Sequence, residues 1–145
     1  MPDELMLEVV TPEREIYRAQ VSEVQLPGRT GYLVILPGHT PLLTELGIGT
    51  LSYKERGNAG YVAVMEGFAE VLPDRVTVLA EAAERPADID VDRARKALAE
   101  AENKLNKSAS DPNADWDAVL HAISRAKARI EVAAHTHAAG SARAS

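Results

Sequence analysis

Apolar and polar residues alternate in short runs over the first part of the chain. Leu5, Leu7 and Val9 interleave with Met6, Glu8 and Val10, and Val21, Val24 and Leu26 lead into Pro27-Gly28. The apolar run Tyr32 to Leu36 closes on Pro37-Gly38 and has the length of a buried strand. Leu51 to Glu55 and Tyr61 to Glu66 flank Arg56-Gly57-Asn58-Ala59-Gly60, whose glycines and asparagine tolerate positive φ, so a hairpin is expected. Phe68 to Leu72 and Arg75 to Leu79 flank Pro73-Asp74, a dipeptide that presets a tight turn. About eight to ten short strands at such spacing predict a β-sandwich or barrel.

The period changes after Arg85-Pro86. Asp88 and Asp90 can accept backbone N–H groups at a helix start, and Val91 to Asn106 contains good helix formers without glycine or proline. Ala94, Leu98, Ala101 and Leu105 fall on one stripe of that helix. The segment from Lys107 to Asn113 breaks it, and Asp115 or Asn113 can cap a second helix from about Trp116 to about His135. Trp116, Val119 or Leu120, Ile123, Ala126, Ile130 and Ala133 form its stripe. Two amphipathic helices with a short connection predict an antiparallel hairpin. Its stripes are rich in alanine, so each contact buries little area and the hairpin is marginal alone. The expected organisation is an N-terminal sandwich of about ten strands over residues 1–86, a hairpin over 87–138 and a disordered tail over 139–145.

Composition narrows the function. The 145 residues contain no cysteine, which removes disulfides, thiolate metal sites and cysteine catalysis. The acidic start Met1-Pro2-Asp3-Glu4 does not read as a signal peptide, and no apolar run approaches a membrane span. A cytoplasmic protein without direct membrane insertion is expected. Residues 1–90 carry seven Lys/Arg against fifteen Asp/Glu, whereas 91–145 carry nine against seven. A front module of charge −8 is a poor grip for nucleic acid, which needs clustered cations; the rear module, at +2, suits an acidic partner.

Catalytic signatures are absent. There is no GxxxxGK[ST], GxGxxG or HExxH. His39, between turn residues in Pro37-Gly38-His39-Thr40-Pro41, is the most site-like single residue, yet no nucleophile or orienting partner accompanies it. A hydrogen-bonded contact-loop histidine outweighs a small hydrolase. His135 and His137 stand two apart, so they do not share a helix face, and no third ligand is near in sequence. No metal is expected. Glu66 and Glu70 alternate with apolar neighbours as solvated strand faces do. Arg125 and Arg129, one turn apart, with Lys127 give the second helix positive charge that fits either a solvated face or an oxyanion site.

Four stretches carry a resemblance: Val9-Val10-Thr11-Pro12, the run Gly31 to Leu43 containing Ile35-Leu36-Pro37-Gly38-His39-Thr40-Pro41-Leu42-Leu43, Glu66-Gly67-Phe68-Ala69-Glu70-Val71, and Val76-Thr77-Val78-Leu79-Ala80-Glu81. In order and spacing the sequence resembles the epsilon chain of F-type ATP synthases over nearly its whole length. The resemblance implies a ten-stranded sandwich followed by two helices, in a non-catalytic subunit at the foot of the central stalk, peripheral on the cytoplasmic face of the bacterial inner membrane. It implies gamma-subunit contacts at Thr11, His39 and Thr44, and c-ring contacts at Arg29, Thr30, Gly31 and Tyr32. Arg29 and Tyr32 stand where family members often carry acidic residues. The resemblance also implies a hairpin that folds onto the sandwich in one state and in the other extends into the alpha/beta hexamer to block rotation. There Arg125, Lys127 and Arg129 would meet an acidic lip of the beta subunit.

Ile89-Asp90-Val91-Asp92-Arg93-Ala94 resembles the segment with which some bacterial members bind ATP on the folded hairpin. By that resemblance Glu84, Ile89, Asp90, Arg93, Ala94, Arg125 and Arg129 form a regulatory nucleotide site. No cofactor is required, and regulatory ATP is the one ligand implied. Glu100 stands where tight binders carry a basic residue, and a carboxylate there repels phosphate. The competing reading of Asp90 and Arg93 is a helix cap and an exposed first-turn charge. A stand-alone sandwich module with a helical dimerisation hairpin fits the same architecture.

Overall fold

In the computed structural model, which describes residues 3–144 and the side chains of 3–135, both modules form. Seven strands precede two helices: β1 (Leu5–Val10), β2 (Glu15–Val21), β3 (Glu23–Gly28), β4 (Gly31–Ile35), β5 (Leu42–Glu55), β6 (Asn58–Leu72), β7 (Arg75–Glu84), then α1 (Val91–Ser108) and α2 (Trp116–Ala144). They form one sheet in the order β2-β1-β7-β6-β5-β3-β4, antiparallel except for the β1/β7 pair.

The count of seven corrects the expected ten or so. The short runs read from Leu51 to Glu55, from Tyr61 to Glu66 and from Phe68 to Leu72 belong to two long strands, β5 and β6, that bend without breaking. The bend is visible in the alternation. In β6, Val62 and Val64 face the main core before it, but Ala69 and Val71 after it; in β5, Leu46 faces the core before and Leu51 after; in β7, Val78 and Ala80 precede and Ala83 follows. Each strand changes parity once, at Gly47, at Glu66/Gly67 and at Glu81, and pairing is interrupted in that same row. One extra residue per strand creases the sheet, and the halves close on each other as the two layers of a sandwich.

Glu66 takes φ 58° and Gly67 φ 126° at the crease. A Cβ on Gly67 would run into the carbonyl oxygen of Leu79 and lie 2.8 Å from Ala80 Cα, so only glycine fits. The β5/β6 hairpin turns on two residues, Arg56 and Gly57, both at positive φ, which is tighter than the five-residue segment read from sequence.

The main core gathers Leu5, Leu7, Val9, Val24, Leu26, Leu51, Val62, Val64, Val71 and Val76, none more than 1% exposed. The expectation of a buried strand from Tyr32 to Leu36 is corrected. Here β4 is a sheet edge, only Ile35 is buried, and Tyr32, Val34 and Leu36 are each more than half exposed. An unbroken apolar run does not distinguish an edge strand from a central one.

Asp90 caps α1, its Oδ1 accepting from Arg93 N at 3.1 Å, and Asp115 Oδ1 does the same for α2 through Ala118 N at 3.1 Å. Residues 136–144 continue α2 beyond the end expected near His135; their side chains, Ser145, and with them the contacts of the expected tail lie outside the described residues. Among the described residues no helix is long and apolar enough to cross a membrane.

At 100° per residue, α2 has two buried faces on opposite sides. Ile123 and Ala126, with half-buried Val119 and Ile130, lie toward α1, whose Ala94 and Ala101 are buried. Ala128, Val132 and Ala133 pack with Ala63, Met65 and Ile89 on the outside of the creased sheet, joined by Ile48, Tyr61 and Ala82. Sequence reading found the first face and missed the second. Replacing Gly67 by alanine is expected to cost about 2–4 kcal/mol. Urea unfolding of the full chain tests this; a midpoint equal to wild type would show that the crease does not require glycine.

Candidate functional site

Between the two faces of α2 runs a flank that carries Ala122, Arg125 and Arg129. It faces the start of α1 and the end of β7 across a cleft of about 540 Å³, lined by Glu84, Asp88, Asp90, Arg93, Ala94, Ala97, Ala122, Arg125, Ala126 and Arg129. The alanines make the space: four methyl side chains occupy positions where larger residues would fill the gap between helices.

Each carboxylate at the cleft already has a partner. Glu84 receives Arg129 Nε at 3.0 and 3.1 Å and its Nη2 at 2.9 Å. Asp88 lies 3.7 Å from Arg14, and Asp90 is committed to the α1 cap. Among the described residues Arg93 and Arg125 have no carboxylate within ion-pair distance, so the cleft presents two unpaired guanidinium groups.

Of the seven residues carried over for a nucleotide, six line this one cleft. Ile89 does not; it is 9% exposed and packs beneath α2. Glu100 is exposed and outside the cleft lining. Asp88, Ala97, Ala122 and Ala126 were not anticipated. The alanines carried a signal, since Ala94/Ala97 and Ala122/Ala126 repeat at helical spacing, but Ala94 and Ala126 read as packing stripes and Ala97 and Ala122 were passed over.

Lys127 is exposed on the flank of α2 opposite the cleft, with Trp116 and Leu120, which are 42% and 48% exposed. The three basic residues thus divide between two sides of the helix. His121 Nε2 stands 3.7 Å from Glu66 Oε1 in a second cleft of about 430 Å³ at the crease, shared with Arg29, Glu45 and Glu81. Glu66, expected on a solvated strand face, is half-buried here. His135 belongs to α2 and stacks on Tyr61 with ring centroids 3.6 Å apart. No group of three or more His, Asp or Glu is placed to hold a metal ion among the described residues.

The contact residues read from the resemblance lie elsewhere. Thr11 is buried and closes a turn, its hydroxyl donating to Arg14 O at 3.2 Å and accepting from Arg14 N. His39 and Thr44 are half-buried, with His39 Nδ1 2.6 Å from Thr40 O. The surface beside Thr11 is an apolar shelf of Val10, Pro12, Phe68 and Leu79, the last two about half exposed. Arg29 and Thr30 form the two-residue loop between β3 and β4, paired at Gly28 and Gly31. Arg29 binds Glu45 at 2.9 Å, and Tyr32 OH accepts from Thr50 N at 3.2 Å.

The junction between modules is pinned. Arg85 lies 4.9 Å from the ring centroid of Tyr17, which stacks on Tyr53 and donates to Glu55 at 2.9 Å. Burial first, then hydrogen bonding to Tyr53 and Glu55, holds the Tyr17 phenol far above its ordinary value.

Two family models match in tandem: ATP synthase, Delta/Epsilon chain, beta-sandwich domain over residues 4–86, and ATP synthase, Delta/Epsilon chain, long alpha-helix domain over residues 87–134. The chain belongs to the ATP synthase delta/epsilon chain family. It is 51% identical over 134 residues to the ATP synthase epsilon chain of Solibacter usitatus, covering 92% of this chain and 98% of the relative. The epsilon chain of Nitratidesulfovibrio vulgaris strain DP4 is 46% identical over 132 residues, or 91% and 97% of the two chains. That of Koribacter versatilis is 54% identical over 108 residues, 74% and 76%. The fold matches a chain of the Euglena gracilis mitochondrial ATP synthase with TM-score 0.67 at 22% identity, covering 96% of this chain and 82% of that one. Membership makes the chain a non-catalytic accessory subunit of an ATP synthase.

Docking of α2 on the sheet is the contact most open to test. Val132→Ala, at a site 0% exposed, is expected to weaken it by about 1–2 kcal/mol. Amide hydrogen exchange reads this as faster exchange across α2 with the strands unchanged; equal protection of both would show that Val132 does not hold the helix down.

Proposed function

We propose that this subunit couples the gamma subunit to the c-ring and restrains ATP hydrolysis through its helical hairpin, with ATP bound in the α1/α2 cleft holding the hairpin folded. The observation that carries the ATP reading is the pair of guanidinium groups, Arg93 and Arg125, which have no carboxylate partner among the described residues and line one cleft of about 540 Å³. That volume falls within the roughly 300–1,000 Å³ of ordinary small-molecule sites. Guanidinium groups bind phosphate oxygens through paired, charge-assisted hydrogen bonds. The ligand would touch both helices, so it favours the closed hairpin by its differential affinity for that state.

The exposed shelf of Phe68, Leu79, Val10 and Pro12 supports an apolar partner surface, and we assign it, with His39, to gamma. The Arg29-Thr30 loop is assigned to the c-ring. In the extended state the basic residues of α2 meet the alpha/beta hexamer. These assignments locate the subunit at the cytoplasmic face of the bacterial inner membrane, peripheral to it.

Titration calorimetry of the purified chain with Mg-free and Mg-bound ATP tests the cleft. Saturable binding is expected, weakened by Arg93→Ala and by Arg125→Ala by about 1.5–3 kcal/mol each, roughly ten- to a hundredfold in Kd. No binding at millimolar ATP would leave a docking subunit whose helices answer to protein partners alone. Reversing Arg125 and Lys127 to glutamate is expected to weaken inhibition of ATP hydrolysis in the reconstituted complex; unchanged inhibition would remove charge from the explanation.

A further inference from the structure

Arg129 is the third guanidinium of the cleft, and unlike the other two it is already occupied. Its partner Glu84 is the last residue of β7, forty-five positions away, and the side chains are only 30% and 29% exposed. The contact therefore joins the sandwich to α2 through a largely sheltered, two-pronged ion pair. Among the described residues the further contact of this kind between α2 and the sandwich, His121 Nε2 with Glu66 Oε1, is longer at 3.7 Å and its side chains are 55% and 39% exposed.

We propose that Glu84 acts as a built-in stand-in for phosphate: it latches α2 to the sandwich through Arg129 when the cleft is empty, and it competes with the polyphosphate of a nucleotide when one enters. The inference rests on the nucleotide reading of the cleft and adds the regulation of that site. The remaining charges around Arg129 are consistent with this role. Arg125 lies one turn away and has no carboxylate partner among the described residues, Asp88 is drawn toward Arg14, and Asp90 is held in the α1 cap. Glu84 is thus the carboxylate that meets the guanidinium cluster directly. A polyphosphate held by Arg93 and Arg125 would share the cleft with Glu84, in a half-buried setting where like charges repel more strongly than in bulk water. Exchange is chemically simple: phosphate oxygens and carboxylate oxygens offer Arg129 the same acceptor geometry, so one anion can replace the other without moving the helix backbone.

Glu84→Gln separates this role from a merely structural one, because it keeps the volume and an acceptor oxygen while removing the charge. Competition predicts opposite changes in two readouts. Without nucleotide, α2 amides near Val132 exchange faster and the full chain melts at a lower temperature. With Mg-free ATP, the same variant binds more tightly, by roughly three- to tenfold. A purely structural Glu84 would lower both. If wild type binds ATP and the variant binds equally or more weakly, the competition is overturned while the nucleotide site stands. If neither binds, the nucleotide reading itself fails and the competition with it. Unchanged amide exchange in the variant without ATP would overturn the latch.

Discussion

A single row across the sheet governs the whole molecule. Gly47, Glu66/Gly67 and Glu81 each add one residue to their strand, and the three irregularities align. Because side chains alternate with period two, one added residue exchanges the faces, so the residues that point inward on both sides of the row belong to a single core. Without that exchange the seven strands would make an open sheet with apolar residues on both surfaces. With it, the outer surface divides in two: one half is covered by α2, and the other leaves Phe68 and Leu79 exposed.

The same division explains why the hairpin can be small-sided and still fold. Alanine contacts between α1 and α2 bury little, but α2 also packs Ala128 and Val132 onto the sheet, and the ion pair at its flank adds a directional tie. The hairpin therefore needs the sandwich. Removing it from that support leaves two weakly held helices, a suitable basis for a population that a ligand or a protein surface can shift.

Much of this was legible in the residues. The change from period two to period 3.6 after Arg85-Pro86 separated the modules, and of the cap candidates Asp88, Asp90, Asn113 and Asp115 the geometry selects Asp90 and Asp115. The cleft was partly legible, since Asp90, Arg93, Arg125 and Arg129 lie together. What escaped was set by tertiary pairing. A parity change looks like a strand end in one dimension, so β6 read as two strands and β5 was read only from Leu51 on. The sheet-facing side of α2 mixes Ala128 and Val132 with His121, Ser124 and His135, and such a mixture does not register as an apolar stripe. Ile89 read as part of a ligand motif, yet its apolar side chain is drawn into the packing under α2.

The alanine surfaces have a thermal consequence. Heat capacity changes track the apolar area exposed, and opening a hairpin faced with methyl groups exposes little of it. The free energy of opening should then vary almost linearly with temperature, whereas the valine- and leucine-filled sandwich follows a strongly curved stability profile. The two modules share one chain but not one temperature dependence: the set point of the hairpin can drift steadily with growth temperature while the platform beneath it stays near the broad top of its curve.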